Sequence, residues 1–143
     1  MSNKIILGFD IGDRRIGVAR AELGMRIASP LLAIPNDDQV FGRISDLIKE
    51  NRAEIIVIGL PRNSSGSETK QSQISRNFAE KIAELIDVKI AFQDESLTSA
   101  VAEDNLRGQK NFDERMLRDG TLDSGAAALI LQDFLEENVN GNV

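Results

Sequence analysis

Four carboxylates stand where apolar patterning does not place them: Asp10, Asp94, Glu95 and Asp123. Asp10 follows a near-continuous apolar run that reads as a buried strand, Lys4 to Phe9. An ionised carboxylate at the end of a buried strand needs a partner, because desolvating an unpaired charge is costly. A metal ion is one such partner; Arg14, Arg15 or turn amides are another. Asp94 and Glu95 come one residue, Gln93, after a short strand-like run, Val88 to Phe92. The carboxyl ends of strands are where α/β sheets carry their chemistry, although acidic residues beside Ser96 equally suit a helix N-terminus. If that strand continues, alternation sends Asp94 and Glu95 to opposite faces. Asp123 falls in the first turn of the last helix, where the helix dipole alone would account for it. Yet Asp123, Ala127, Ile130 and Phe134 share one face at helical spacing, and that face is apolar.

Carboxylates from a strand, a neighbouring strand end and a helix start repel one another unless cations sit among them. The chain has no histidine and no cysteine. That removes Ser-His-Asp and Cys-His catalysis, thiolate metal sites, disulfides and the usual neutral-pH base. Oxygen donors favour hard cations, so Mg²⁺ or Mn²⁺ is the expected cofactor. Two such ions about 3.5–4 Å apart would support phosphodiester hydrolysis without histidine, one activating water and the other stabilising the leaving oxygen. Candidate phosphate contacts are Arg14 and Arg15 after the first strand, and Arg62, Asn63, Ser67 and Lys70 in the polar loop Gly59 to Ser67 and the helix start beyond it. A plain surface loop with a hydroxyl helix cap fits the same residues. The net charge of −6 argues against a nucleic-acid binder that works by bulk charge, but not against a site that turns positive once loaded with cations.

These residues need a scaffold. Strands are expected at Lys4 to Phe9, Ile16 to Ala21 and Arg26 to Ile34, the last at a sheet edge because of Pro30. A helix from Asp38 to Asn51 shows Val40, Phe41, Ile44, Leu47 and Ile48 on one face. A short strand, Glu54 to Ile58, comes next. A helix from Thr69 to Ile86 follows the polar loop, with Ile74, Phe78, Ile82 and Leu85 as its stripe, and leads to the strand Val88 to Phe92. A third helix spans Ser96 to Leu106, a mobile loop with room for a helical turn covers Arg107 to Asp119, and a last helix runs from Leu122 to Glu137 before a frayed tail. Three hairpin strands followed by strands alternating with helices predict a single α/β domain over residues 1–143, a five-stranded mixed sheet flanked by helices. In the ribonuclease-H-like order the first strand lies centrally beside the fourth. No stretch is apolar enough to span a bilayer, and Met1 to Ile6 lacks a signal-peptide apolar region and a small-residue cleavage site, so a cytoplasmic protein without membrane contacts is expected.

The segments Gly8-Phe9-Asp10-Ile11-Gly12 with Arg15-Ile16-Gly17-Val18-Ala19, Ile58-Gly59-Leu60-Pro61, Asn63 with Gly66, Asp94-Glu95-Ser96-Leu97-Thr98-Ser99-Ala100, and Leu122-Asp123-Ser124 with Ala126-Ala127 occur in one order over nearly the whole chain. Together they resemble the YqgF/RuvX family of pre-16S rRNA nucleases and Holliday junction resolvases. The resemblance implies a ribonuclease-H-like fold and a divalent-metal nuclease site. It assigns Asp10, Glu95 and Asp123 as catalytic metal ligands, with Asp94 as an accessory. It also implies a nucleic-acid partner, either structured pre-rRNA or branched DNA, bound by a monomer or a homodimer. Three positions depart from the family pattern: Ser65 where Asp is frequent, Gly120-Thr121 where a Lys is common, and Asp13 where many members have Thr. Two other readings compete. Asp10-x-Gly12 before a hairpin is similar to the phosphate turn of actin-like ATPases and sugar kinases, but no second such turn follows a strand here. A non-catalytic nucleic-acid-binding module is the other; such modules often lose acidic residues, and this chain keeps them.

Overall fold

The computed structural model describes residues 4–63, 65, 67–95 and 98–138. Its elements are β1 (Ile5–Ile11), β2 (Arg15–Glu22), β3 (Ala28–Pro35), α1 (Val40–Asn51), β4 (Ala53–Pro61), α2 (Lys70–Leu85), β5 (Lys89–Glu95), α3 (Thr98–Arg107) and α4 (Thr121–Glu137). The strands form one mixed sheet in the order β3-β2-β1-β4-β5. The first three are antiparallel, while β4 runs parallel to β1 and β5 parallel to β4. β1 is therefore central beside β4, as the element order predicts.

Strand alternation divides the apolar residues into two layers. Leu7, Phe9, Ile11, Ile16, Val18, Ile56 and Ile58 pack on one face against Ile44 of α1 and Phe78 and Ile82 of α2. Ile6, Ala19, Ala21, Ile55 and Val57 point the other way, against Ala127, Ile130, Leu131 and Phe134 of α4. The small residues lie on the second face because α4 packs there at close range. A Cβ at Gly8 would stand 2.9 Å from the Leu131 Cβ, and one at Gly17 only 1.9 Å from the backbone oxygen of Asp123. Glycine inside a strand marks such close approaches.

Several boundaries differ from those expected. β4 runs on to Pro61 and β5 to Glu95, because their parallel ladder continues through Gly59↔Gln93, Leu60↔Asp94 and Pro61↔Glu95. Main-chain pairing extends the strands over residues whose side chains do not favour strands. β1 likewise reaches Ile11, so Asp10 lies inside the strand, paired with Gly17. In α2, Phe78 and Ile82 are buried as expected, but Ile74 and Leu85 are exposed. Ser72, Ser75 and Ala79 complete the buried face instead, which is turned toward small residues that fit against β4. Ser96 and Leu97, the expected start of the third helix, lie outside the described residues, as does the tail beyond Asn138. The loop Arg107 to Asp119 does contain the helical turn allowed for there, a 3-10 turn over Glu114–Leu117 capped by the Asp113 side chain. Among the described residues no helix is long and apolar enough to cross a membrane.

Candidate active site

Alternation brings three of the four carboxylates to one place. Ile6, Gly8 and Asp10 share the face of β1 that meets α4, and so do Gln93 and Glu95 at the end of β5. Asp123 starts α4 over Gly17, the register partner of Asp10. Gly59, between β1 and β5, leaves room for Glu95: a Cβ there would stand 2.7 Å from the Glu95 Oε2. The three acids thus gather at the carboxyl ends of β1, β4 and β5, under the N-terminus of α4.

Their electrostatics agree with this placement. Burial, followed by repulsion from Asp123, pushes the Asp10 carboxyl up to about 6. Burial, followed by repulsion from Asp10, pushes Glu95 up to about 8. Asp10 is therefore coupled to both other acids, and no arginine among the described residues forms an ion pair with it. The alternative of an Arg14 or Arg15 partner for Asp10 gives way to a different contact: Arg15 Nε donates to Asp123 Oδ2 at 2.8 Å. The donor set fits a hard divalent cation, being all oxygen, partly buried and self-repelling. Among the described residues, however, no three acids stand in ligating geometry. Of the three, Asp123 is the one with an arginine partner.

Asp94 does not join the cluster. It points to the α2 face, its side chain 64% exposed, and pairs with Arg62 at 2.8 Å. That pair also occupies Arg62, one of the expected phosphate contacts. The polar loop is organised by Asn63, whose Oδ1 accepts from the amides of Ser65 (3.0 Å) and Ser67 (2.9 Å) and from the Ser65 hydroxyl. The amides that would cradle a phosphate are thus already bonded within the loop. Ser64 and Gly66 lie outside the described residues. Lys70, at the first turn of α2, and Arg14, at the β1–β2 turn, are exposed. That turn is held from three sides: Gly12 N–H donates to the Arg15 oxygen (3.1 Å), Asn36 Nδ2 to the Gly12 oxygen (2.7 Å) and Gln71 Nε2 to the Ile11 oxygen (3.0 Å). Gly17 and Gly59, which let the acids converge, are not among the residues whose types suggest chemistry; their one sequence signal is an isolated glycine within an apolar strand.

A model of the RuvX family, described as Holliday junction resolvase, matches residues 4–137. The chain belongs to the RuvX family. Membership makes it a nuclease, as its resemblance implied. A relative from Sulfurihydrogenibium sp. (strain YO3AOP1), named "Putative pre-16S rRNA nuclease", is 41% identical over 92% of this chain and 89% of its own length. A Shewanella denitrificans relative of the same name is 37% identical over 94% and 95%. Among solved structures, Thermus thermophilus RuvC in complex with a Holliday junction substrate superposes with a TM-score of 0.57 at 14% identity, covering 96% of both chains. The fowlpox virus Holliday junction resolvase gives 0.58 at 12%, covering 93% of this chain and 99% of its own. At such identities the likeness concerns the fold, which in these RuvX-like and RuvC-like chains is ribonuclease-H-like.

Proposed function

We propose that this RuvX-family chain is a divalent-metal-dependent endonuclease that processes the 5′ end of pre-16S rRNA in the cytoplasm during ribosome biogenesis. One observation carries the catalytic part: Asp10 sits between two other acids at the carboxyl end of the central strands, its carboxyl raised by burial and by Asp123. The names of full-length relatives support the RNA substrate.

Asp10, Glu95 and Asp123 would hold Mg²⁺ or Mn²⁺, which supplies charge stabilisation and an activated water when bound. Asp10 is the central donor, since it is coupled to both partners and its backbone is fixed in the middle of the sheet. Glu95, raised to about 8, keeps its carboxyl proton at neutral pH until a cation displaces it. The β1–β2 turn brings exposed Arg14 to the rim, and Lys70 stands at the first turn of α2, where cations can meet phosphates of the substrate. Gly8, Gly17 and Gly59 let α4 close over the sheet and keep the acids partly shielded from water.

The family description favours a second reading, cleavage of four-way DNA junctions. The two separate in one assay. Purified protein with Mg²⁺ is offered a 16S precursor fragment and a four-way junction of equal backbone length. Faster cleavage of the precursor, at the expected 5′ site, is the predicted result; cleavage confined to the junction would reverse the substrate assignment.

A further inference from the structure

Nothing in the cleavage scheme uses the Arg15–Asp123 ion pair. It joins the first residue of β2 to the first turn of α4 across 108 positions of sequence. The side chains are 36% and 28% exposed, so the pair lies at the rim of the acid cluster rather than beneath it. The backbone on both sides is fixed. Asp123 is pressed against Gly17, and the Arg15 oxygen accepts from Gly12 in a turn tied down by Asn36 and Gln71. The contact is made by side chains alone, both partly open to solvent, so its release needs no movement of either backbone. While they are paired, no three acids among the described residues stand in ligating geometry.

We propose that Arg15 is a positioning residue that competes with a divalent cation for the Asp123 carboxylate, an inference that rests on the metal-dependent reading above. A guanidinium and a metal ion on one carboxylate repel each other, so loading the site expels Arg15 from Asp123. Arg15 thereby keeps the acid cluster from being fully uncompensated and sets how much cation is needed to complete it.

Titration calorimetry of Mn²⁺ into the full chain tests this at low ionic strength, where ion pairs are least screened. For a partly exposed pair, Arg15→Gln is expected to bind Mn²⁺ about two- to five-fold more tightly than wild type, with Arg15→Lys in between. On an Asp123→Asn background, Arg15→Gln should change Mn²⁺ affinity no further, which separates competition for one carboxylate from a general gain in negative charge. Thermal melts give a second readout. Arg15→Gln should melt below wild type in EDTA, and the gap should close in saturating Mn²⁺; a purely structural arginine would keep the gap in both. Unchanged or weaker Mn²⁺ binding by Arg15→Gln, beside normal binding by wild type, overturns the competition and leaves the metal site standing. Absence of Mn²⁺ binding in wild type overturns both. Should Arg15→Gln fail to fold, Arg15→Lys decides alone, because affinity no higher than wild type contradicts the proposal.

Discussion

Asp10→Asn is expected to be inactive and, in the absence of added metal, more stable than wild type above about pH 6. Loss of activity should exceed about 100-fold, since even groups that only support a metal ligand cost 10–100-fold when removed. The stability gain follows from the raised carboxyl. Asp10 is protonated up to about pH 6 in the folded chain but only to about 3.8 when unfolded, and Glu95 to about 8 rather than 4.5. Between those limits the folded state binds more protons, so stability falls as pH rises. The contribution is intact below about pH 4, is lost through pH 6 for Asp10, and is lost through pH 8 for Glu95. An ionised Asp10 thus costs the fold at most about 3 kcal/mol. An amide removes the charge but still needs hydrogen-bond partners, so a net gain of about 1–2 kcal/mol is expected, or roughly 3–8 °C in Tm at pH 8. Melting curves from pH 5 to 9 in EDTA check this. The wild-type curve should decline across that range and the Asp10→Asn curve should decline less. Such an exchange of stability for function is typical of sites that gather like charges.

The second large effect concerns Gly17, which does no chemistry. A Cβ there would lie 1.9 Å from the Asp123 backbone oxygen, 2.3 Å from its carbonyl carbon and 3.0 Å from the Ser124 nitrogen. All three atoms belong to the main chain, so no rotamer change relieves the clash, and the start of α4 must move. Overpacking a core typically costs about 1–3 kcal/mol, and more where the neighbour is rigid; about 3–5 kcal/mol is expected for Gly17→Ala. Cleavage should fall as well, by about 100-fold or more, since a displacement near 1 Å carries such a penalty in a catalytic site. Urea denaturation and the cleavage assay read the two effects. A Gly17→Ala protein with wild-type midpoint and rate would show that α4 does not bear on this glycine.

Much of this arrangement can be read from the residues. The apolar run around Leu7 and Phe9 specifies a central strand, and the spacing of Asp123, Ala127, Ile130 and Phe134 puts an acid at the head of a buried helical face. What could not be read depends on tertiary pairing. Gln93, Asp94 and Glu95 have little strand preference and extend β5 because β4 lies alongside. That extension separates Glu95 from Asp94 and sends Asp94 to Arg62. The partner of Arg15 was equally hidden. Asp10 is near in sequence, but Asp123, distant in sequence, is the acid that α4 delivers to the end of β2. The buried face of α2 keeps the expected Phe78 and Ile82 but is completed by Ser72 and Ser75, small enough to sit against the sheet, with Ser72 bonded into the helix cap, whereas Ile74 lies off that face.

Asp94 and Glu95 are adjacent acids of the same strand, on opposite faces, so they provide a paired test of the active site. Glu95→Gln and Asp94→Asn are prepared identically and assayed with wild type on one pre-16S fragment with Mg²⁺ and with EDTA, so that a contaminating nuclease would appear equally in all three. The predicted result is Mg²⁺-dependent cleavage by wild type, a rate within about three-fold of it for Asp94→Asn, whose exposed ion pair contributes little, and a loss of more than about 100-fold for Glu95→Gln. Equal cleavage by Glu95→Gln and wild type would contradict the assignment of this carboxylate cluster as the nuclease site.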